Sequence, residues 1–479
     1  MKKRFSRILS LFLVLALALT CAGCGKTTNS SEVDAGANDD FFTDTENVIS
    51  SDDGADGNGQ TNTVTSSNSQ GSSNNNQGSS YVGGKSWAEV LKGMPSKIRG
   101  SSLEIVNWNP ISEYGGASSV IKKFTQETGI KVKWTVLSYG IYFTKLASRI
   151  ATDDAPDVCR TRTPNVMGLQ NFQPLSVSGY DFSDAAWDQN AMKAYTVNGK
   201  AYATSLKGTH ISSPLLVFYN KTLIKKYDLE DPYDLWKSGK WTWEKFIDIG
   251  ETFMKVSGAD WAITSSNYDP FLPAMGIQGP VEYDGTKYKS IVKTEKYIKV
   301  MQTITNLHTG TGFLKHDDQN GFDNGDGLFS LSQSIHARRK NAYFPSLKLA
   351  GSLGTVPFPT ISGQDFIQNM CEYESYAIAK GAKNPTAVPY FLRYFLDPAN
   401  YDMKSFFTDD QALEVHYWCM DQKNTSWPTY NRGFSEFLTD DFNMFNCPSS
   451  QVKTKVDANA PLIDTRVQIY NDTIAKKFN

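Results

Sequence analysis

Apolar and polar positions along the chain fall into three regimes. An apolar run from Ile8 to Thr20 follows Lys2, Lys3, Arg4 and Arg7. From Gly25 to about Gly84 large apolar residues almost vanish, and the chain reads Ser, Asn, Gly, Asp and Gln, as in TSSNSQGSSNNNQGSS. Periodic patterns take over beyond that point. Ser86 and Glu89 stand at capping-box spacing ahead of Val90, Leu91 and Met94, which predicts a short helix. SSLEIVNWNP predicts a strand ending at Trp108-Asn109-Pro110, and Val120, Ile121 and Phe124 predict a helix closed by Gly129. Ile130, Val132, Trp134 and Val136 alternate with Lys131, Lys133 and Thr135, the signature of a strand. Tyr142, Leu146 and Ile150 predict another helix, and DAPDVC a strand after Pro156. Further on, PLLVFYN reads as a strand, WEKFIDIGETFMKV as a helix capped by Thr242 with Phe246, Ile249 and Phe253 on one face, and AVPYFLRYFLDP as a helix stopped by Pro398. Strands alternating with helices predict an α/β body with mostly parallel sheets, in which ligands collect beyond the carboxyl ends of the strands. No repeat of solenoid period is visible.

The first apolar run is short for a bilayer span and is preceded by basic residues, so it reads as an export signal. Its end, Cys21-Ala22-Gly23-Cys24, resembles a bacterial lipobox, with Cys21 where leucine is usual. That resemblance implies cleavage before Cys24, a lipid on the Cys24 thiol, and residues 1–23 lost as a lipoprotein signal peptide. Residues 24–85 have too few apolar side chains to offset chain entropy and are expected to be a disordered tether. As a flexible coil it reaches about 40 Å, enough to hold a folded body off the membrane.

Charge sharpens this division. The signal holds four basic residues, and residues 25–86 hold nine acidic against two basic ones, so a chain of formal net charge -2 has a nearly neutral folded part. No Lys/Arg stripe offers the phosphate-neutralising surface that nucleic acid requires. Cys159, Cys371, Cys419 and Cys447 lack metal-ligand spacing; a Cys419–Cys447 disulfide is left open, because spacing does not determine pairing. GxSxG, HExxH and the phosphate-loop pattern are absent, and the five histidines have no zinc or triad spacing, so no enzyme chemistry, cofactor or metal is expected. DNGDG at 323–327 reads as a turn, its calcium-loop ligand pattern broken by Gly325 and Gly327. The paired carboxylates of a glycosidase need only meet in space, which keeps a secreted carbohydrate-active enzyme as the alternative reading.

Several pieces, in order, resemble the family 1 extracellular solute-binding proteins, the sugar-capturing receptors of ABC importers to which the maltodextrin-binding proteins belong. They are LEIVNWNP with VIKKFTQETGIKVKW, then DDAPDVCRTRTPN, NGKAYATS with LLVFYNKTLIKKYDLEDPYDLW, GTVPFP, and SYAIAKGAKNPTAVPYFLRYFLDP. The likeness covers about residues 100–479, with Phe218 in place of one family tyrosine and CEYESY where glycines are common. It implies a two-lobed periplasmic-binding-protein-like fold of type II, hinged between mostly parallel sheets. The lobes are expected at 86–209 with 374–420 and at 214–368 with 421–479, the first crossing near Leu206–Ser213 and the return near Gln368–Tyr376. It also implies a monomer, lipid-anchored on the outer face of a bacterial membrane, that captures a small solute, an oligosaccharide above all, and hands it to ABC permease subunits. A sensory or adhesive lipoprotein on the same fold is a further alternative.

Aromatic residues make up 13 % of the chain, and tryptophan serves both sugar stacking and ordinary cores. Trp108 and Asn109 end a predicted parallel strand before the first crossover and are candidate ligand contacts. TSSNYDPF is similar in position to a family stretch that offers an aromatic from the second lobe, which brings in Asn267 and Tyr268. Arg162 and Asp154, at and before the end of another strand, are suited to hydrogen-bonding hydroxyls or to a surface salt bridge. His336, Arg338 and Arg339 fall where the family often has a ligand-facing aromatic and are read as a solvated turn.

Overall fold

The computed structural model describes residues 83–161, 166–209, 212–265, 277, 279–316, 319–359, 371–372, 375–421 and 447–478. The leader, Cys24 and the tether as far as residue 82 lie outside the described residues, as do Arg162, Asn267 and Tyr268.

The capping box forms, with Ser86 accepting from the Glu89 backbone at the start of helix Trp87–Lys92. Strand β1 (Ser102–Asn107) runs parallel to β2 (Lys131–Val136) and to β3 (Val158–Thr161). Between β1 and β2, helix Ala117–Thr128 buries Val120, Ile121 and Phe124 and stops at Gly129, whose φ of 75° an L side chain would resist. Helix Tyr142–Ala151 connects β2 to β3. Short strands β4 (Phe172–Gln173) and β7 (Ala203–Thr204) complete the outward pass, with a hairpin of β5 (Thr196–Val197) and β6 (Lys200–Ala201) between them.

The chain then crosses to a second sheet. β8 (Ser213–Asn220) is buried at all eight positions and lies antiparallel to its neighbours. It is followed by β9 (Ile263–Ser265), a hairpin of β10 (Val281–Tyr283) and β11 (Tyr288–Ser290), β12 (Leu314–His316), β13 (Phe329–Gln333), β14 (Leu353–Val356) and β15 (Cys371–Glu372). β9, β12 and β13 are mutually parallel, and the order across this sheet is β12-β9-β13-β8-β14. β16 (Ser375–Ala379) returns to the first sheet, giving the order β2-β1-β3-β16-β4 with β7 also on β16. Each sheet is thus mostly parallel with one reversed strand, and apolar residues cover both faces of each, as parallel sheets require.

The chain crosses a third time after Asn400. Helix Val388–Phe395 packs on helix Ala117–Thr128, whereas helix Asp410–Met420 packs on β8 and β14 of the second sheet. Gln411 donates to the Tyr219 hydroxyl at 3.1 Å and Lys221 meets Asp409 at 3.0 Å. The expected extension of the first lobe to residue 420 is therefore corrected: residues 410–420 bury their apolar side chains against the second sheet. Cys419 and Cys447 are free, and they belong to different apolar clusters. Cys419 joins the cluster of Leu216 and Phe218, Cys447 that of Leu215 and Val217, so the alternating side chains of β8 place them on opposite faces.

Candidate functional site

Parallel pairing brings the carboxyl ends of β1, β2 and β3 to one edge, where Asn107 stands in register with Val136. Asn107 is fully buried and acts as the hub. Its Oδ1 accepts from Arg160 Nη1 at 2.9 Å and from the Asn109 backbone at 3.0 Å, and its amide pairs with the Tyr114 hydroxyl at 3.0 Å. Arg160 lies over the Trp108 ring, 3.9 Å from its centroid. Tyr139 and Tyr142 pack edge-on against Trp108 at 5.5 and 5.1 Å. The Tyr142 hydroxyl donates to the carbonyls of Val106 and Arg160, which locks the strand ends together.

Trp108 is accordingly 7 % exposed, with a guanidinium on its face, and forms the floor of this edge. Asn109 donates its side-chain amide to Glu113 at 2.5 Å, while its carbonyl accepts from Trp134 Nε1 at 3.1 Å. Burial raises the Glu113 carboxyl above its ordinary pKa, against the hydrogen bond from Asn109 and the charges of Arg160 and Arg338. Asp154 lies elsewhere. It precedes β3 by four residues, at the amino-terminal end of the strands, where its exposed carboxylate pairs with Arg149 Nε at 2.8 Å.

The second sheet presents the carboxyl ends of β9, β12 and β13. The chain beyond β13 makes a tight turn over Ser334–Ala337 and buries Arg338, leaving it 8 % exposed. Burial lowers the Arg338 pKa to about 10, and Tyr114, Arg160 and Glu113 of the first lobe are the groups that act on its charge. Phe406 fills the seam: the Arg338 guanidinium is 5.9 Å from its ring, and a Cβ on Gly115 would come within 2.5 Å of it. His336 stacks on Tyr343 at 3.7 Å and its Nδ1 lies 2.5 Å from Ser332 Oγ. The expectation of a solvated turn is thus corrected, because packing against Phe406, Phe407 and Tyr343 draws Arg338 and His336 inward while Arg339 stays exposed.

Behind this seam, His416 is fully buried against Phe407 and 3.3 Å from Ser334 Oγ; burial holds its pKa down to about 3, so it is neutral. Among the described residues no group of three or more His, Cys, Asp and Glu side chains can hold a metal ion. The structure therefore brings Trp108 and Asn109 together at an edge shared with Glu113, Arg160 and Arg338, which sequence reasoning missed.

A family profile described as bacterial extracellular solute-binding protein matches residues 108–402. Among solved structures, the chain is similar to the GacH receptor of Streptomyces glaucescens, solved unliganded and with acarbose, at a TM-score of 0.55 and 19 % identity. It is similar to the cyclic α-maltosyl-1,6-maltose binding protein of Arthrobacter globiformis at 0.57 and 13 %, and to the sugar-binding protein MalE of Xanthomonas citri at 0.56 and 16 %. Each alignment covers 78 % of this chain and 98 % of the other. At such identities the likeness establishes the two-lobed type II fold. No match was found among the curated proteins.

Proposed function

Because the chain belongs to the bacterial extracellular solute-binding protein family, we propose that it captures a carbohydrate between its two lobes and delivers it to an ABC permease, without chemical turnover. The observation that carries this reading is the convergence of two strand-end edges on one seam. Asn109, Glu113 and Arg160 face it from the first sheet and Arg338 from the second, a set of fixed polar groups suited to sugar hydroxyls. Asn267, Tyr268 and Arg162 are proposed to join them from the carboxyl ends of β9 and β3. The solutes of the similar structures, acarbose and a cyclic maltosyl-maltose, favour an oligosaccharide.

Delivery requires two states. A ligand that touches both edges binds the closed form better and shifts the lobes toward it, and the permease reads that form. Among the described residues no helix is long and apolar enough to cross a membrane, and the proposed attachment is the lipid on Cys24. Thermal-shift screening of the purified chain against a saccharide library tests the carbohydrate reading: stabilisation by one class of saccharide is expected, and none across the library contradicts it. Cys24→Ser is expected to move the protein from the detergent phase to the aqueous phase; retention in the membrane contradicts the anchor.

A further inference from the structure

Among the described residues the exposed aromatic side chains are Tyr139 and Phe143, at 46 and 41 % exposure, with Ile141 between them at 42 %. The other exposed large apolar residues among the described ones are Met167 and the aliphatic Val177, Val256, Leu349, Leu462 and Ile469. Isolated exposed aliphatics are ordinary surface, whereas neighbouring exposed aromatics in one turn call for a function. This turn lies directly beyond β2, at the edge that carries Trp108, and the Tyr139 ring touches that of Trp108. Phe143 packs on Tyr142 at 5.2 Å and reaches toward Gly168, which continues the apolar surface to Met167 at 38 % exposure. Nothing stands within 4 Å of where a Cβ on Gly140 would be, so the space over the turn is open.

We propose that Tyr139, Ile141 and Phe143 form an outer platform for the bound solute, so that the solute is a neutral oligosaccharide whose outer units leave the cleft along the first lobe. This rests on the carbohydrate reading above and adds the chain length and charge of the ligand. From Val136 to Thr144 the chain has no Asp, Glu, Lys, Arg or His, so the side chains of the turn bring no charge of their own, and the nearest along the chain is Lys145 just beyond it. It offers aromatic faces, on which the C–H faces of sugar rings stack, rimmed by the hydroxyls of Ser138 and Tyr139. Continuity with the Trp108 floor puts the platform where a chain too long for the cleft emerges.

Calorimetry on the full chain tests this with ladders of gluco-, xylo- and manno-oligosaccharides from one to six units. In the ladder that binds, affinity is expected to rise with length. The Tyr139→Ala/Phe143→Ala double variant is expected to shrink the ratio of longest to shortest affinity by about tenfold, the scale of one stacking contact. Melting curves without sugar, together with the single variant Phe143→Ala, separate lost binding from lost folding. Flat affinity along a ladder that binds, or an unchanged ratio in both variants, overturns the platform and leaves the carbohydrate reading standing. Failure of all three ladders to bind removes the platform together with the neutral-oligosaccharide reading on which it rests.

Discussion

The first sheet has two ends, and each carries a glutamate among arginines. At the amino-terminal end Glu104 accepts from both terminal nitrogens of Arg149, at 3.1 and 2.8 Å, and from Thr135 at 2.6 Å, with Lys133 nearby at 3.5 Å. Burial works against its charge, but the hydrogen bonds from Arg149 and Thr135 and the charges of Arg149 and Lys133 outweigh it, so the pKa is lowered. At the carboxyl end burial prevails and the Glu113 carboxyl is raised. One end has its charges matched within the lobe, which is how structural ion pairs are built. The other holds a carboxylate whose partners Asn109 and Arg160 only partly offset its desolvation, together with a buried arginine supplied by the opposite lobe. The difference teaches that charge alone does not mark a site; desolvation that outweighs the local partners does.

Substitutions at the two ends should separate in sign. The largest effect is expected from Arg149→Ala, which leaves the half-buried Glu104 with only Thr135 and Lys133 as partners and should lower stability by about 2 to 3 kcal/mol in denaturant titration, with saccharide affinity unchanged. A comparable loss of affinity would show that the amino-terminal end takes part in binding. Glu104→Gln should cost about 1 to 2 kcal/mol near pH 7. Its folded pKa is depressed, so the stability it contributes is present above the ordinary glutamate value of about 4.3 and is lost as pH falls through the lowered folded value. The gap between wild type and variant should therefore close in acid.

Glu113→Gln should behave in the opposite way. Its folded pKa is raised, so its contribution is fully present below the ordinary value and is lost as pH rises through the raised one. At neutral pH the variant should match wild type in stability, because the carboxyl is open to screening solvent, while saccharide affinity falls about tenfold. A destabilised variant with normal affinity would erase the contrast between the two ends. The smallest effect is expected from deleting residues 25–82: the remaining chain should melt cooperatively within about 2 °C of the full chain, because a segment so poor in apolar residues is expected to bury nothing. A larger drop in differential scanning calorimetry would mean that the segment packs on the body.

Much of this architecture is legible in residue order alone. Val120, Ile121 and Phe124 with Gly129, the Ser86/Glu89 capping box and Thr242 at the head of helix Trp243–Ser257 are local signals, and the structure reproduces each. The edge that carries Trp108 follows from the rule for parallel strands. Glu113 and Arg338 were not legible, because packing between the lobes brings the buried Arg338 within reach of the Glu113 charge, across more than two hundred residues of chain. The turn at His336 was misread for a related reason: a turn of four residues has no periodicity, and only Tyr343 and Phe407 reveal that it is packed. The end of the first lobe was misplaced because helix Asp410–Met420 is apolar enough to serve either sheet.

The most direct test is small-angle scattering of residues 83–479, with and without a saturating saccharide identified by thermal shift, once that fragment is shown to melt like the full chain. Closure of two lobes on a ligand that bridges Glu113 and Arg338 predicts a smaller radius of gyration with sugar, and no such change in a variant that no longer binds. Saturated binding with an unchanged radius would contradict a solute gripped from both edges and the delivery mechanism that depends on it.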